Sequence, residues 1–388
     1  MQQSDKVPWW RDRRTFEIVG QGLVLGIVIA TITWMGQNLI TNLQRLNLGF
    51  GFDFLSRSAS FGIANPPIKF LPTDSYLRAL VVGLLNSLRV TFFGIIIATI
   101  LGVTIGISKL SDNWLVSKLA SAYVEVLRNT PLLLQLFFWY FAVFLRLPKT
   151  EAPLVIGDRL CGSPCFFLTN RGLNVPWFEL DIGTLWVLGA ILGCLVLAIV
   201  VWNYRQRIVS VNSQLWWVLI GFSAIASILL FWWGIDWIIP EQINNLIKGG
   251  LYLSPEFATL LIGLSIYTSA FIAEVVRAGI QSVDRGQWEA ARALGLNSTA
   301  VMQLVILPQA LRVMIPPLTS EYLNLIKNSS LAIAIGYSDL YAISNTIFNQ
   351  TGKPIEIVLI VMLIYLTINL IISLIMNRLN RLVQLTER

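Results

Sequence analysis

Long apolar runs separated by short polar stretches set the pattern of this chain. Eight runs can be traced, at about 18–40, 78–108, 116–147, 183–203, 214–239, 255–280, 313–340 and 355–377. A helix that crosses the hydrocarbon of a bilayer needs about 20 apolar residues, so each run is long enough to span. The second and third exceed what a crossing needs. Nineteen uncharged residues lie between Arg89 and Lys109, which suffices to cross, so 74–88 reads as lying along the outer surface. In the third run, Trp114 to Leu127 is amphipathic, and Pro131 suits the first turn of the helix that follows. Those readings place Arg89 and Arg128 near the membrane boundaries, where a charge costs little. The pattern predicts an all-α, polytopic membrane protein with about eight transmembrane helices. No short-period repeat or low-complexity tract is present.

Composition agrees with that solvent. The chain is 55% hydrophobic and 13% charged, against about 25% charged in soluble domains. The net charge of +7 is not gathered on one polar face, which argues against nucleic acid as a partner; the basic residues flank apolar runs. With the amino terminus cytoplasmic, eight spans put both termini and the 281–312 loop on one side. Fifteen Lys and Arg residues then fall in the cytoplasmic stretches and ten in the longer outer ones, as the positive-inside rule requires. The first run begins near Phe16, after Lys6, Arg11, Arg13 and Arg14, and continues past Ile32 without a small-residue cleavage site; it reads as a retained span. The outer loops are 41–77, 148–182, 240–254 and a short one near 341–354. The loop at 148–182 reads as too short for an independent domain. Trp216, Trp217, Trp232, Trp233 and Trp237 sit at the two ends of one span, as an aromatic belt does.

The polar stretch at 281–312 stands out between apolar runs. Residues 287–296 are good helix formers, Gly295 can supply a left-handed stop, and Asn297, Ser298 and Thr299 offer a cap for a second helix. A short helix on a loop suits a helix-in-groove contact with a partner, or else it is a solvated amphipathic loop. Its residues Glu289, Ala290, Ala291, Arg292, Ala293, Leu294 and Gly295, followed after ten residues by Ile306, Leu307 and Pro308, resemble the EAA-x3-G-x9-I-x-LP signature of binding-protein-dependent ABC transporter permeases. Residues 125–135, Glu-Val-Leu-Arg-Asn-Thr-Pro-Leu-Leu-Leu-Gln, resemble the E-x2-R-G-T-P-L-L-x-Q stretch of the polar amino acid group, with Asn129 in place of the usual glycine. Lys327, Asn328, Ser329, Ser330 and Leu331 resemble its K-(D/N)-(T/S)-(S/A)-L stretch.

The resemblance implies a five-span core over about 78–147 and 255–380. The extra first span and a two-span insert at about 150–250 are similar to the larger permease subunits of general L-amino-acid transporters. The implied division is 1–77 for the tail, first span and outer loop, 78–147 for the first part of the core, 148–254 for a periplasmic loop and the insert, and 255–388 for the second part with the 281–312 loop. By the same resemblance the chain is a non-catalytic subunit in the bacterial inner membrane. Its partners are ABC ATPase subunits, as a dimer, a second permease chain of different sequence, and a periplasmic substrate-binding protein that delivers an L-amino acid. Glu289, Ala290, Ala291, Arg292 and Gly295 would contact the ATPase. ATP and magnesium would be bound there, and this chain would hold no cofactor.

Polar residues within the runs are the remaining candidates. Lys327 lies within a predicted span, some fifteen residues beyond Arg312. A lysine at that depth suggests function, and Asn328, Ser329 and Ser330 must find polar partners there. Asn86, Thr91, Gln135, Tyr267 and Ser269 complete the set for a substrate path. The competing reading is that Ser329 and Ser330 are packing residues and that Lys327 pairs with Glu321. Glu274 and Arg277 are spaced to pair on one helix face at the cytoplasmic edge. Cys161 and Cys165 lie in an outer loop, where an oxidising periplasm permits a bridge; two free thiols is the alternative. Histidine is absent, which removes the commonest general base and metal ligand. No metal constellation and no G-x-S-x-G occurs, nor a G-x4-G-K-[ST] loop for ATP. A secondary transporter or channel without an ATPase is the alternative function; the lack of an acidic residue at mid-membrane argues against it.

Overall fold

The computed structural model describes residues 13–45, 49–156, 165–178, 236–243 and 246–383, with scattered positions between 183 and 221. The helices are α1 (Arg13–Arg45), α2 (Tyr76–Lys109), α3 (Trp114–Asn129), α4 (Leu132–Phe137), α5 (Pro255–Gln281), α6 (Arg285–Ala293), α7 (Leu307–Asn328), α8 (Leu340–Thr351) and α9 (Pro354–Val383). Among the described residues, five helices are long and apolar enough to cross a membrane. A sixth span is formed if α3 and the helix from Leu132 to Arg146, bent by 105° at their junction, count as one. The predicted spans at 183–203 and 214–239, and with them the two-span insert, lie almost wholly outside the described residues.

The bundle is built on α2 and α5. Ser75 caps α2 by accepting from the Arg78 N–H, and Ser254 caps α5 by accepting from the Phe257 N–H, with Pro255 at the first helical position. Lipid gives apolar helices little reason to associate, so they pack through small residues that let backbones approach. Here Gly94, Ala98, Gly102 and Gly106 recur every fourth residue along one face of α2. A Cβ added at Gly102 would lie 2.5 Å from Ile272 Cγ2, and one at Gly106 would lie 2.7 Å from the Ala273 carbonyl oxygen. At the far end, a Cβ on Gly83 would meet Leu340 Cα at 3.0 Å, so α8 also crosses α2 at a glycine.

Three apolar clusters stack along the bundle. One, at the end away from the 281–312 loop, joins Phe54, Tyr76, Leu80, Leu340, Ile347 and Ile357. The middle cluster includes Val90, Leu136, Leu260 and Leu264. The third, under the loop, includes Ile272, Val276, Ile280, Ala291, Ile306 and Met314.

Several expectations are revised. The stretch 74–88 does not lie along the surface; α2 runs unbroken for 34 residues, about 51 Å at 1.5 Å per residue. Its first turns stay helical because Tyr76, Ala79, Leu80 and Val82 are buried in the outer cluster. The segment at 341–354 is not a loop but α8, capped by Asp339, which accepts from the Ala342 N–H at 2.8 Å. The polar stretches on either side of the insert form short antiparallel strands, and the largest sheet has the order β1 (Leu154–Ile156), β2 (Phe166–Thr169), β3 (Gly172–Val175), β4 (Leu251–Leu253). Cys165 is fully buried and disulfide-bonded, whereas Cys161 lies outside the described residues.

Candidate functional site

The loop between α5 and α7 is built as a cap–helix–cap unit. Asp284 Oδ1 accepts from the Gly286 N–H at 2.7 Å and starts α6. The helix ends in a Schellman arrangement: the Gly295 N–H donates to the Arg292 carbonyl at 2.9 Å and the Leu296 N–H to the Ala291 carbonyl at 3.4 Å. Gly295 has φ +76°, the left-handed conformation glycine adopts without penalty. Asn297 Oδ1 then accepts from the Ala300 N–H at 2.8 Å and starts the next helix. After one turn, Ser298–Ala300, that helix continues as a π segment, Val301–Ile306, before α7. Pro308 lacks an N–H and its ring crowds the carbonyl four residues back, which accounts for the register slip.

The unit presents one face outward. Glu289, Ala290, Arg292 and Gly295 are exposed, and Leu294 is 82% exposed. Ala291 does not share this face: at 3% exposure it packs inward with Ile280 and Ile306, with Trp288 against the same cluster. Its expected place in a contact with a partner is therefore corrected; it anchors α6 to the bundle. Glu289 lies in the middle of α6. Asp284 holds the positive end of that helix.

The polar candidates within the membrane divide into two groups. Asn86 is buried and its Nδ2 donates to the Ser338 carbonyl at 2.8 Å, while Thr91 Oγ1 donates to the Ser87 carbonyl at 2.8 Å. Ser269 is fully buried, with its Oγ 2.7 Å from the Tyr123 hydroxyl where α3 crosses α5. Gln135 Nε2 donates to the carbonyls of Leu127 and Thr130 at 2.9 and 3.0 Å, so it pins the end of α3 at the bend. Ser329 is fully buried and donates to the Ile326 carbonyl, and Ser330 donates to the Lys327 carbonyl, where α7 tightens into a 3-10 turn. These hydroxyls serve the local backbone. Tyr267 and Asn328 are half-buried and Lys327 is exposed. Among the described residues Lys327 forms no ion pair with Glu321.

Charges that the sequence did not bring together do meet here. Lys109, at the end of α2, donates to Glu274 Oε2 at 2.7 Å, and Arg277 pairs with the other oxygen of the same carboxylate. This triad ties α2 to α5 beside the loop. Arg128 is exposed, and its guanidinium carbon lies 5.1 Å from the centroid of the Phe271 ring of α5. Glu321 on α7 lies within electrostatic reach of both Arg128 and Tyr267. Against the expectation, an acidic residue falls inside an apolar helix: Glu321 lies within the candidate span Ser298–Ile335. The groups within its reach come from two other helices, α3 and α5, so no local spacing in the sequence signalled it.

Residues 91–385 match the model of the family described as binding-protein-dependent transport system inner membrane component. Val305 stands where the loop signature of such permeases carries isoleucine. The chain is 42% identical over 384 residues to the general L-amino acid transport system permease protein AapQ of Rhizobium johnstonii, covering 97% of this chain and 94% of that one. It is also 42% identical over 408 residues to the glutamate/glutamine/aspartate/asparagine transport system permease protein BztB of Rhodobacter capsulatus, covering 97% and 96%.

Proposed function

From the premise that the chain belongs to the family of binding-protein-dependent inner membrane transport components, we propose that it is the larger permease subunit of an ABC importer for L-amino acids. The observation that carries this reading is the capped α6–Gly295 unit, which projects an exposed face from the bundle. Family membership supplies the partner classes, an ATPase and a substrate-binding protein. Two ATPase subunits closing on ATP would press on Glu289, Ala290, Arg292 and Gly295. Coupling of that motion to access across the membrane requires that closure favour one state of the bundle by a real free-energy difference. Ala291 and Trp288 would transmit the push, because they are packed under α6 against residues of α5 and α7. ATP and magnesium would bind to the ATPase, with no cofactor in this chain. A second, different permease chain would complete the path.

Both termini and the α6 loop are proposed to be cytoplasmic. Arg312 Nε donates to the Val383 carbonyl at 3.1 Å, so the end of α9 lies beside the start of α7. The segment after α1 meets the other end of α9: the Gly51 N–H donates to Glu356 Oε1 at 3.1 Å. Cysteines placed at Asp5 and Leu385 should stay unlabelled by an impermeant reagent in intact cells. The function is tested by purifying the tagged chain with its partners and reconstituting them in proteoliposomes. ATP-dependent uptake of amino acids is expected; uptake that ignores ATP and collapses with a proton gradient would instead favour a secondary transporter.

A further inference from the structure

The linker between α7 and α8 carries a buried carboxyl with no counter-charge. We propose that Asp339 is a proton-binding site and that the bound proton latches α8 against α2, so that the end of the bundle away from the 281–312 loop responds to pH. This inference goes beyond the importer reading and does not rest on it.

Asp339 is fully buried, between the span that ends at Ile335 and the start of α8. Two side chains of α2 bracket it. Asn86 Nδ2 donates to the Ser338 carbonyl at 2.8 Å, and Ser87 Oγ accepts from the Leu340 N–H at 3.0 Å. A Cβ added at Gly83 would lie 3.1 Å from the Asp339 carbonyl oxygen, so the linker rests directly on α2.

This pocket lacks a donor. Asp339 Oδ1 accepts from the Ala342 N–H, but Oδ2 has no hydrogen-bond partner, and Asn86 Oδ1 has none either. An ionised carboxyl only accepts, whereas a protonated one carries an O–H donor. One proton on Oδ2, taken from water and returned to it, therefore removes the buried charge and supplies the missing donor.

Among the described residues no basic side chain forms an ion pair with Asp339. Arg89 of α2 is engaged elsewhere: it donates to the Tyr337 hydroxyl at 3.3 Å and lies over the Phe257 ring at 4.4 Å. Tyr337 in turn donates to the Asn86 carbonyl at 3.4 Å, and from α9 the titratable neighbour is the phenol of Tyr365. An isolated buried carboxylate is costly, and such a group takes up a proton instead. Burial accordingly pushes Asp339 up to about 7, although the N–H groups at the start of α8 favour its charged form. An open cavity of about 290 Å³, lined by Phe61, Ile63, Ser338, Ala342 and Thr346, adjoins the linker and gives the proton a route from water.

The folded chain thus holds this proton above the ordinary carboxyl value of 3.8, where the unfolded chain has released it. The stability it lends is fully present at acid pH and is lost as pH rises towards 7. Ionisation leaves a buried charge beside the contacts of Asn86 and Ser87, and the seat of α8 on α2 loosens.

The test uses the purified transporter, this chain with its partners. Infrared spectra with isotope-labelled aspartate, which sets Asp339 apart from Glu321 and Glu356, should show a protonated carboxyl that titrates near 7 and is absent from Asp339→Asn. Asparagine can cap α8 and donate from its amide, so it mimics the protonated form. Between about pH 5 and 8, the melting temperature of the unaltered complex should fall by a few degrees relative to Asp339→Asn. Amide exchange in 340–351, corrected for the intrinsic rate, should quicken over that range in the unaltered chain alone. A labelled carboxyl that titrates below about pH 5, or equal protection of α8 at both ends of the range, would overturn the proposal. Should Asp339→Asn not assemble, Asp339→Glu decides: loss of the labelled aspartate band supports the site, and a band that persists belongs to another aspartate and overturns it.

Discussion

Replacing Gly295 separates a turn residue from a contact residue. Its φ of +76° costs glycine nothing, whereas a residue with a Cβ loses about 1–2 kcal/mol there, asparagine and aspartate least. No atom lies within 4 Å of where a Cβ would be, so any side chain has room within this chain. Strain and bulk can therefore be varied apart. Gly295→Ala adds strain with little bulk; Gly295→Asn and Gly295→Asp add bulk with less strain. If Gly295 only closes α6, the alanine version should suffer most, by about 1–2 kcal/mol, seen as easier proteolysis within 285–300. The bundle beneath should hold, since Ile272, Val276 and Met314 are buried independently of that turn. If Gly295 lies against the ATPase, Asn and Asp should do the greater damage. Forcing extra atoms into a packed contact costs about 1–3 kcal/mol, or roughly 5- to 150-fold in affinity. Pull-down of the ATPase, its affinity, and ATP-driven uptake in proteoliposomes measure this. Gly295→Asp protein that inserts, binds the ATPase and transports as the unaltered chain does would refute the assignment of this loop as the coupling surface.

Gly106→Leu should lower the melting temperature of the purified complex through a loss of about 2–3 kcal/mol, because the new Cβ would meet Val276 Cβ at 2.8 Å; Gly22→Leu, with nothing within 4 Å, is the control. Asn328→Leu should lower uptake in a complex that still assembles, and normal uptake would return Asn328 to packing. Ser329→Leu should instead cost folded protein, since Ser329 is fully buried, and an assembled, stable Ser329→Leu complex would contradict that burial. Mass spectrometry after alkylation without reduction should find neither Cys161 nor Cys165 modified, and two alkylated thiols would exclude a bridge between them.

Periodicity and composition alone determine that this is a membrane-spanning helical protein. A bilayer offers no hydrogen bonds to the backbone, so a chain of long apolar runs has little choice but helix. The α6 unit was legible for a similar local reason. Its stop at Gly295 and its restart at Asn297 are short-range chemistry, and both caps form as the residues indicate. Only tertiary packing decided which face of α6 is free. Ala290 and Ala291 are chemically identical, and it is the bundle beneath that buries one and exposes the other. The same holds for the charges. Glu274 and Arg277 could be paired from spacing, but Lys109 is 165 residues away in sequence from Glu274. A one-dimensional reading of Arg128 counts only from the nearest charges and cannot see its ring contact with Phe271. That contact follows from the 105° bend at Thr130 and Pro131 and from the crossing of α3 over α5. Contacts between distant segments set that crossing, so the meeting of Arg128 with Phe271 exists only in the folded chain.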